Sequence, residues 1–192
     1  MNNKLLVKFA FCYLACKSLI TKQKFRKCGK GCIFVGFRRL IGGKCIEIGG
    51  YTKIGAQAII TAWERAGGHS FSPLIKIGKR CNIGEFCHIT CINSIIIGDD
   101  VLTGRWVTIT DNSHGQTNIE DLKISPLKRK VSSKGPVMIG NKVWIGDKAT
   151  ILSGVSIGDS SIVGANSVVT KDIPPFSVAA GNPAKIVKFL KQ

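Results

Sequence analysis

The stretch that decides the fold is residues 139–173, IGNKVWIGDKATILSGVSIGDSSIVGANSVVTKDI. An apolar residue recurs at every sixth position: Ile139, Ile145, Ile151, Ile157, Val163 and Val169. Glycine follows four of them, as Gly140, Gly146, Gly158 and Gly164, but Leu152 and Thr170 follow the other two. The period is therefore three hexads, or eighteen residues. The same pattern runs upstream through Ile48-Gly49, Ile54-Gly55 and Ile60-Thr61, then through Ile77-Gly78, Ile83-Gly84 and Ile89-Thr90. It continues through Ile97-Gly98, Thr103-Gly104 and Ile109-Thr110. A period of six nested in eighteen describes a chain that turns three flat faces per coil and then repeats.

Each face accepts a short strand, because β-branched Ile and Val suit a pleated, half-buried surface. Glycine beside the inward residue relieves crowding, and small residues such as Cys81, Cys87, Ala149, Ser161 and Ser167 let the chain turn. Coils stacked about 4.8 Å apart satisfy their backbones in parallel ladders. The expected fold is all-β, a parallel β-helix of about five triangular coils. A parallel α/β sheet is excluded, since strands every six residues leave no room for crossover helices.

The chain has 192 residues and a formal net charge of +17. Residues 1–45 hold eleven Lys or Arg and no Asp or Glu. This segment is expected to be a basic, helical cap over the open end of the prism, with residues 46–192 as the β-helix domain and a short C-terminal tail. A cap covers edges that otherwise stay unpaired. The same charge suits an anionic membrane surface. Nucleic acid is not expected, because no aromatic-basic interleaving or known module is present. The apolar run 5–20 is interrupted by Lys8 and Lys17, lacks a small-residue cleavage site and is short for a span. The eight cysteines read as reduced packing residues of a cytoplasmic protein, peripheral at the inner face of the membrane. Cys28 and Cys32 have no matching pair, so no metal is expected.

Breaks in the pattern mark where function is added. Seventeen residues separate Ile60 from Ile77, eight separate Ile89 from Ile97, and thirty separate Ile109 from Ile139. All three insertions follow the third hexad of a coil, so they emerge at one corner, stacked. The largest includes a polar, basic loop over residues 115–138, and a structureless loop of this length in a compact domain is functional or disordered. His114 closes the last hexad before it. Packing needs no histidine at a corner, and imidazole is the natural proton acceptor near neutral pH. Asp111 and Asn112 stand beside it as candidate substrate-binding groups. His69 lies in the first insertion and borders the same corner, whereas His88 reads as a structural residue on another face.

These features resemble the hexapeptide-repeat acyltransferases, a left-handed β-helix family, and most of all the sugar O-acetyltransferases of polysaccharide clusters, with the maltose and galactoside acetyltransferases. The resemblance covers residues 45–188. It is carried by Val143-Trp144-Ile145-Gly146, by Ser167-Val168-Val169-Thr170-Lys171-Asp172-Ile173-Pro174 and by Gly181-Asn182-Pro183-Ala184-Lys185. It implies a homotrimer with sites between neighbouring prisms and acetyl-CoA lying along the coils. It implies that His114 is the general base, that Trp144 walls the site, and that Gly146 and Asp147 present backbone to the thioester. Ala165 would meet the pantetheine arm, Thr170 and Lys171 the adenosine end, and Lys185 and Lys188 the phosphates.

The expected activity is acetyl transfer to a sugar hydroxyl, in surface polysaccharide biosynthesis, on a sugar or glycolipid acceptor. An amino-sugar N-acetyltransferase is the nearest rival. A serine acceptor is disfavoured, because that class carries a large helical N-terminal domain. A zinc carbonic-anhydrase-like enzyme would need three histidines converging on a metal, and a non-catalytic membrane-surface binder would use only the basic N-terminus.

Overall fold

The computed structural model describes residues 13–190 except residue 15. Three parallel sheets run the length of the chain and form the three faces of a prism. The first face carries Ile46–Ile48, Leu74–Ile77, Ser94–Ile97, Val137–Ile139 and Ser156–Ile157. The second carries Lys53–Ile54, Asn82–Ile83, Leu102–Thr103, Trp144–Ile145 and Ile162–Val163. The third carries Ala58–Ala62, His88–Cys91, Thr108–Thr110, Thr150–Ile151 and Val168–Val169.

Register places every expected inward residue on its counterpart, for example Ile48 on Ile77 and Ile145 on Val163. These residues form one continuous buried core. Each fully buried Ile contributes roughly 1.5–3 kcal/mol by leaving water.

The glycines act differently from the simple bending role. The left-handed backbone at the two tight corners falls on residues such as Arg80, Phe86, Trp106 and Lys148, not on the hexad glycine. Glycine is needed because the next coil lies where a side chain would go. A Cβ at Gly55 would stand 2.7 Å from the Gly84 carbonyl carbon and 2.7 Å from the Glu85 nitrogen. The small fifth-position cysteines are buried free thiols that point to the same glycine turns: Cys81 Sγ lies 3.1 Å from the Gly98 carbonyl oxygen.

The prism starts earlier than residue 46. Lys27–Cys28 pairs with Glu47 and Ile48, Ile33–Phe34 with Lys53 and Ile54, and Phe37–Ile41 with the 58–61 segment. Cys28, Phe34 and Leu40 therefore form a further set of hexads, masked in the sequence because Cys, Phe and Leu replace Ile and Val. Residues 27–41 of the basic segment are thus coil. Its helical residues 16–22 sit beyond the first coil. Ser18 Oγ accepts the Phe34 N–H at 2.9 Å and donates to the Leu14 carbonyl at 2.6 Å. An edge N–H with no preceding coil is thereby satisfied. Phe25, Phe34 and Phe37 close this end as an aromatic cluster, with Phe25 and Phe34 centroids 5.2 Å apart. At the other end Ala184–Phe189 turns back antiparallel on Ser177–Gly181.

Candidate active site

All three insertions leave the prism at the corner between the third and first faces, as their spacing predicts. The first is a short hairpin in which Arg65–Ala66 pairs with His69–Ser70 across Gly67 and Gly68, both with positive φ. The last is not structureless. Ser113–His114 pairs antiparallel with Val131–Ser132, so residues 113–132 form an ordered arm. Gly115 turns it with φ +79 and donates its N–H to the Lys130 carbonyl at 2.9 Å. Asn118 caps the helical turn Ile119–Leu122 through the Asp121 N–H at 2.8 Å, and Arg129 Nε donates to the Ile124 carbonyl at 2.9 Å.

His114 is exposed on the root of this arm and borders two clefts. One, of ≈ 590 Å³, lies over the third face and is walled by the first hairpin. It is lined by Arg39, Thr61, Trp63, Arg65, His88 and Thr90, with Asn112 and His114 at its edge. The other, of ≈ 370 Å³, lies toward the later coils and meets His114 with Arg129, Lys134, Leu152, Ser153 and Thr170. Asn112 borders both, held by its Nδ2 donation to the Thr90 carbonyl at 3.1 Å.

Asp111 lines neither cleft. It is fully buried, and its carboxylate accepts the Ile92 N–H at 2.9 Å, the Asn93 N–H at 2.8 Å and Asn112 Nδ2 at 3.1 Å. Cys91 Sγ lies 3.1 Å away. Its lone pairs are spent on the previous coil, so it positions the corner and neither binds a hydroxyl nor orients the imidazole. His88 also differs from its sequence reading. It lies on the third face, half-buried, in the same cleft as His114. Burial lowers its pKa, because it disfavours the charged imidazolium. His69 is exposed on the hairpin's second strand and lines neither cleft.

Within one chain the structure brings His114, Asn112 and Thr170 together but not the other expected donor-site residues. Trp144 is exposed on the second face, and Gly146, Asp147 and Ala165 lie at the corner between the second and third faces. Asp147 uses Oδ1 to accept the Arg105 N–H at 2.8 Å, so its carboxylate is structural. Lys171 follows Thr170 at the insertion corner, exposed, and Lys185 and Lys188 lie on the final strand. None of these lines either cleft.

Residues 136–171 match the family described as bacterial transferase hexapeptide (six repeats), and residues 74–104 match the hexapeptide repeat of succinyl-transferase. Both stretches are thus similar to hexapeptide-repeat transferases. It is 41% identical over 118 residues to an Escherichia coli K12 protein named as a lipopolysaccharide biosynthesis O-acetyl transferase, WbbJ, covering 60% of each chain. It is 40% identical over 126 residues to the galactoside O-acetyltransferase of the same organism, covering 62% of this chain and 56% of that one. The chain thus spans about three fifths of the length of these relatives. Among solved structures, the hexapeptide-repeat acetyltransferase VCA0836 of Vibrio cholerae, complexed with acetyl coenzyme A, superposes with a TM-score of 0.61. It is 26% identical, with 91% of this chain and 76% of that chain covered. The prism is the left-handed parallel β-helix of these proteins, a hand that hexad spacing alone leaves open.

Proposed function

We propose that the chain transfers an acetyl group from acetyl-CoA to a sugar hydroxyl, with His114 as the general base, in surface polysaccharide biosynthesis. One observation carries this reading: His114 stands where the two clefts meet, so a donor in one and an acceptor in the other approach the same imidazole. The O-acetyltransferase relatives supply the reaction class. His114 removes the hydroxyl proton as the sugar oxygen attacks the thioester carbonyl. The carbon–sulfur bond then breaks, and the departing thiolate takes the proton from the imidazolium. No covalent enzyme intermediate is required.

The 370 Å³ groove, with Arg129 and Lys134 as cations and Thr170 as a hydroxyl, suits the donor side. Trp144, Gly146, Asp147 and Ala165 serve the donor only if a second copy lays its second face against this corner. The homotrimer is therefore part of the proposal, and Lys171, Lys185 and Lys188 are its candidate phosphate contacts. The test is release of CoA thiol from acetyl-CoA against a panel of sugars, with the acetylated atom mapped. Transfer to amino sugars alone would replace the hydroxyl acceptor with an amine.

We further propose that the enzyme rests on the anionic inner face of the membrane. Leu19 and Ile20 are exposed on the N-terminal helix beside Lys17 and Lys22. No helix among the described residues is long and apolar enough to cross a membrane.

A further inference from the structure

The cleft over the third face has a composition that the transfer reaction does not require. Arg39 rises from the earliest coil, paired in register with Ile59, which is itself paired with His88. Arg65 comes from the first hairpin. Neither arginine is in an ion pair among the described residues, and no carboxylate lines the cleft. The Arg39 guanidinium carbon lies 5.8 Å from the Trp63 ring centroid, which holds the cation against a flat apolar wall.

Thr61 supplies an independent sign of a ligand. It faces away from the core, next to inward-pointing Ile60, yet it is only 2% exposed. Its Oγ1 is the buried side-chain oxygen with no hydrogen-bond partner among the described residues. Leaving such a hydroxyl unpaired is unfavourable, and burying it at the wall of an open cleft is consistent with a partner that arrives from outside. The cleft therefore offers two uncompensated cations, an indole and an unsatisfied hydroxyl, all on the acceptor side of His114.

We infer that this cleft selects an anionic acceptor, a sugar ring bearing a carboxylate or a phosphate. Arg39 and Arg65 hold the charged group and Thr61 bonds a ring hydroxyl. The inference rests on the proposed transferase reading, and names the class of its acceptor. Arginine suits both oxyanions, since its planar fork matches each of them.

Binding to the full-length His114→Ala protein separates this inference from the reaction. The probes are glucose, glucuronate, glucose 1-phosphate and acetyl-CoA, titrated by calorimetry. Glucuronate or glucose 1-phosphate, whichever carries the right anion, should bind at least about ten-fold more tightly than glucose. Adding Arg39→Gln or Arg65→Gln should abolish most of that preference and leave acetyl-CoA affinity within about two-fold. Thr61→Val should weaken the charged sugar several-fold while the protein melts no lower, because an unpaired hydroxyl is removed from the interior. Equal affinity for glucose, no binding by either charged sugar, or arginine variants that weaken acetyl-CoA instead would overturn the inference. Arginine-dependent binding of a charged sugar without CoA release from the wild-type protein would leave the cleft assigned and remove the transferase reading.

Discussion

Asp111 holds Asn93 on the preceding coil by accepting its backbone N–H at 2.8 Å. The same carboxylate takes the Ile92 N–H, and the next residue, Asn112, opens the segment that carries His114. A buried side chain thus connects the second insertion to the root of the third. The corner that carries His114 is thus tied to the preceding coil by backbone N–H groups donating to a side chain.

Asp111→Ala should therefore destabilise the fold and misplace the site. Two N–H groups lose their acceptor, and leaving a buried donor unsatisfied costs about 1–3 kcal/mol. For a chain of this size each kcal/mol lowers the melting temperature by roughly 2–4 °C. Thermal unfolding checks the first effect. Asp111→Asn, which keeps one oxygen, should recover part of the stability, and unchanged melting in the alanine variant would show that the contact is dispensable.

His114→Ala should melt like the wild type, since the side chain is exposed on the arm. General-base catalysis contributes roughly 10²–10⁴-fold, so kcat should fall by that factor while acetyl-CoA binding is kept. CoA release at saturating substrates provides the measurement. A loss smaller than about ten-fold would take His114 out of the role.

His88 gives a pH dependence of stability with a definite sign. Burial holds its pKa below the ordinary 6.5, so the folded chain binds fewer protons than the unfolded chain between those two values. Stability then declines as pH falls from 6.5 to the depressed folded value, and this contribution is flat above 6.5. His88→Gln lacks this decline. Melting curves taken from about pH 7.5 down to about pH 5.5 should show a smaller drop for the variant than for the wild type, and parallel curves would contradict the assignment.

The membrane proposal predicts a dependence on lipid charge. Each Lys or Arg near an anionic surface contributes about 1 kcal/mol, decaying within a Debye length of about 8 Å at physiological salt. The intact protein should co-sediment with anionic vesicles, release on added salt and ignore neutral vesicles. Leu19→Ser with Ile20→Ser should weaken it further. Equal pelleting with both vesicle types would leave the N-terminal helix with its capping contact to Phe34 alone.

The prism and the corner shared by its three insertions were legible in the sequence because inward positions obey a strict rule. Every sixth residue lines the interior, and the position of each interruption within the eighteen-residue period fixes which corner it leaves. The same rule hid the earliest coil, where Cys28, Phe34 and Leu40 fill the positions with unusual residue types. Outward positions obey no such rule. Arg39, Thr61 and His88 are scattered over some fifty residues of chain, and only the stacking register sets them side by side on one face. Asp111 likewise read as a polar neighbour of His114, and only the tertiary fold turned it inward to backbone donors eighteen and nineteen residues away. Periodicity in one chain determines what faces the core. Which outward residues share a cleft depends on contacts between coils, and those form only when the prism is assembled.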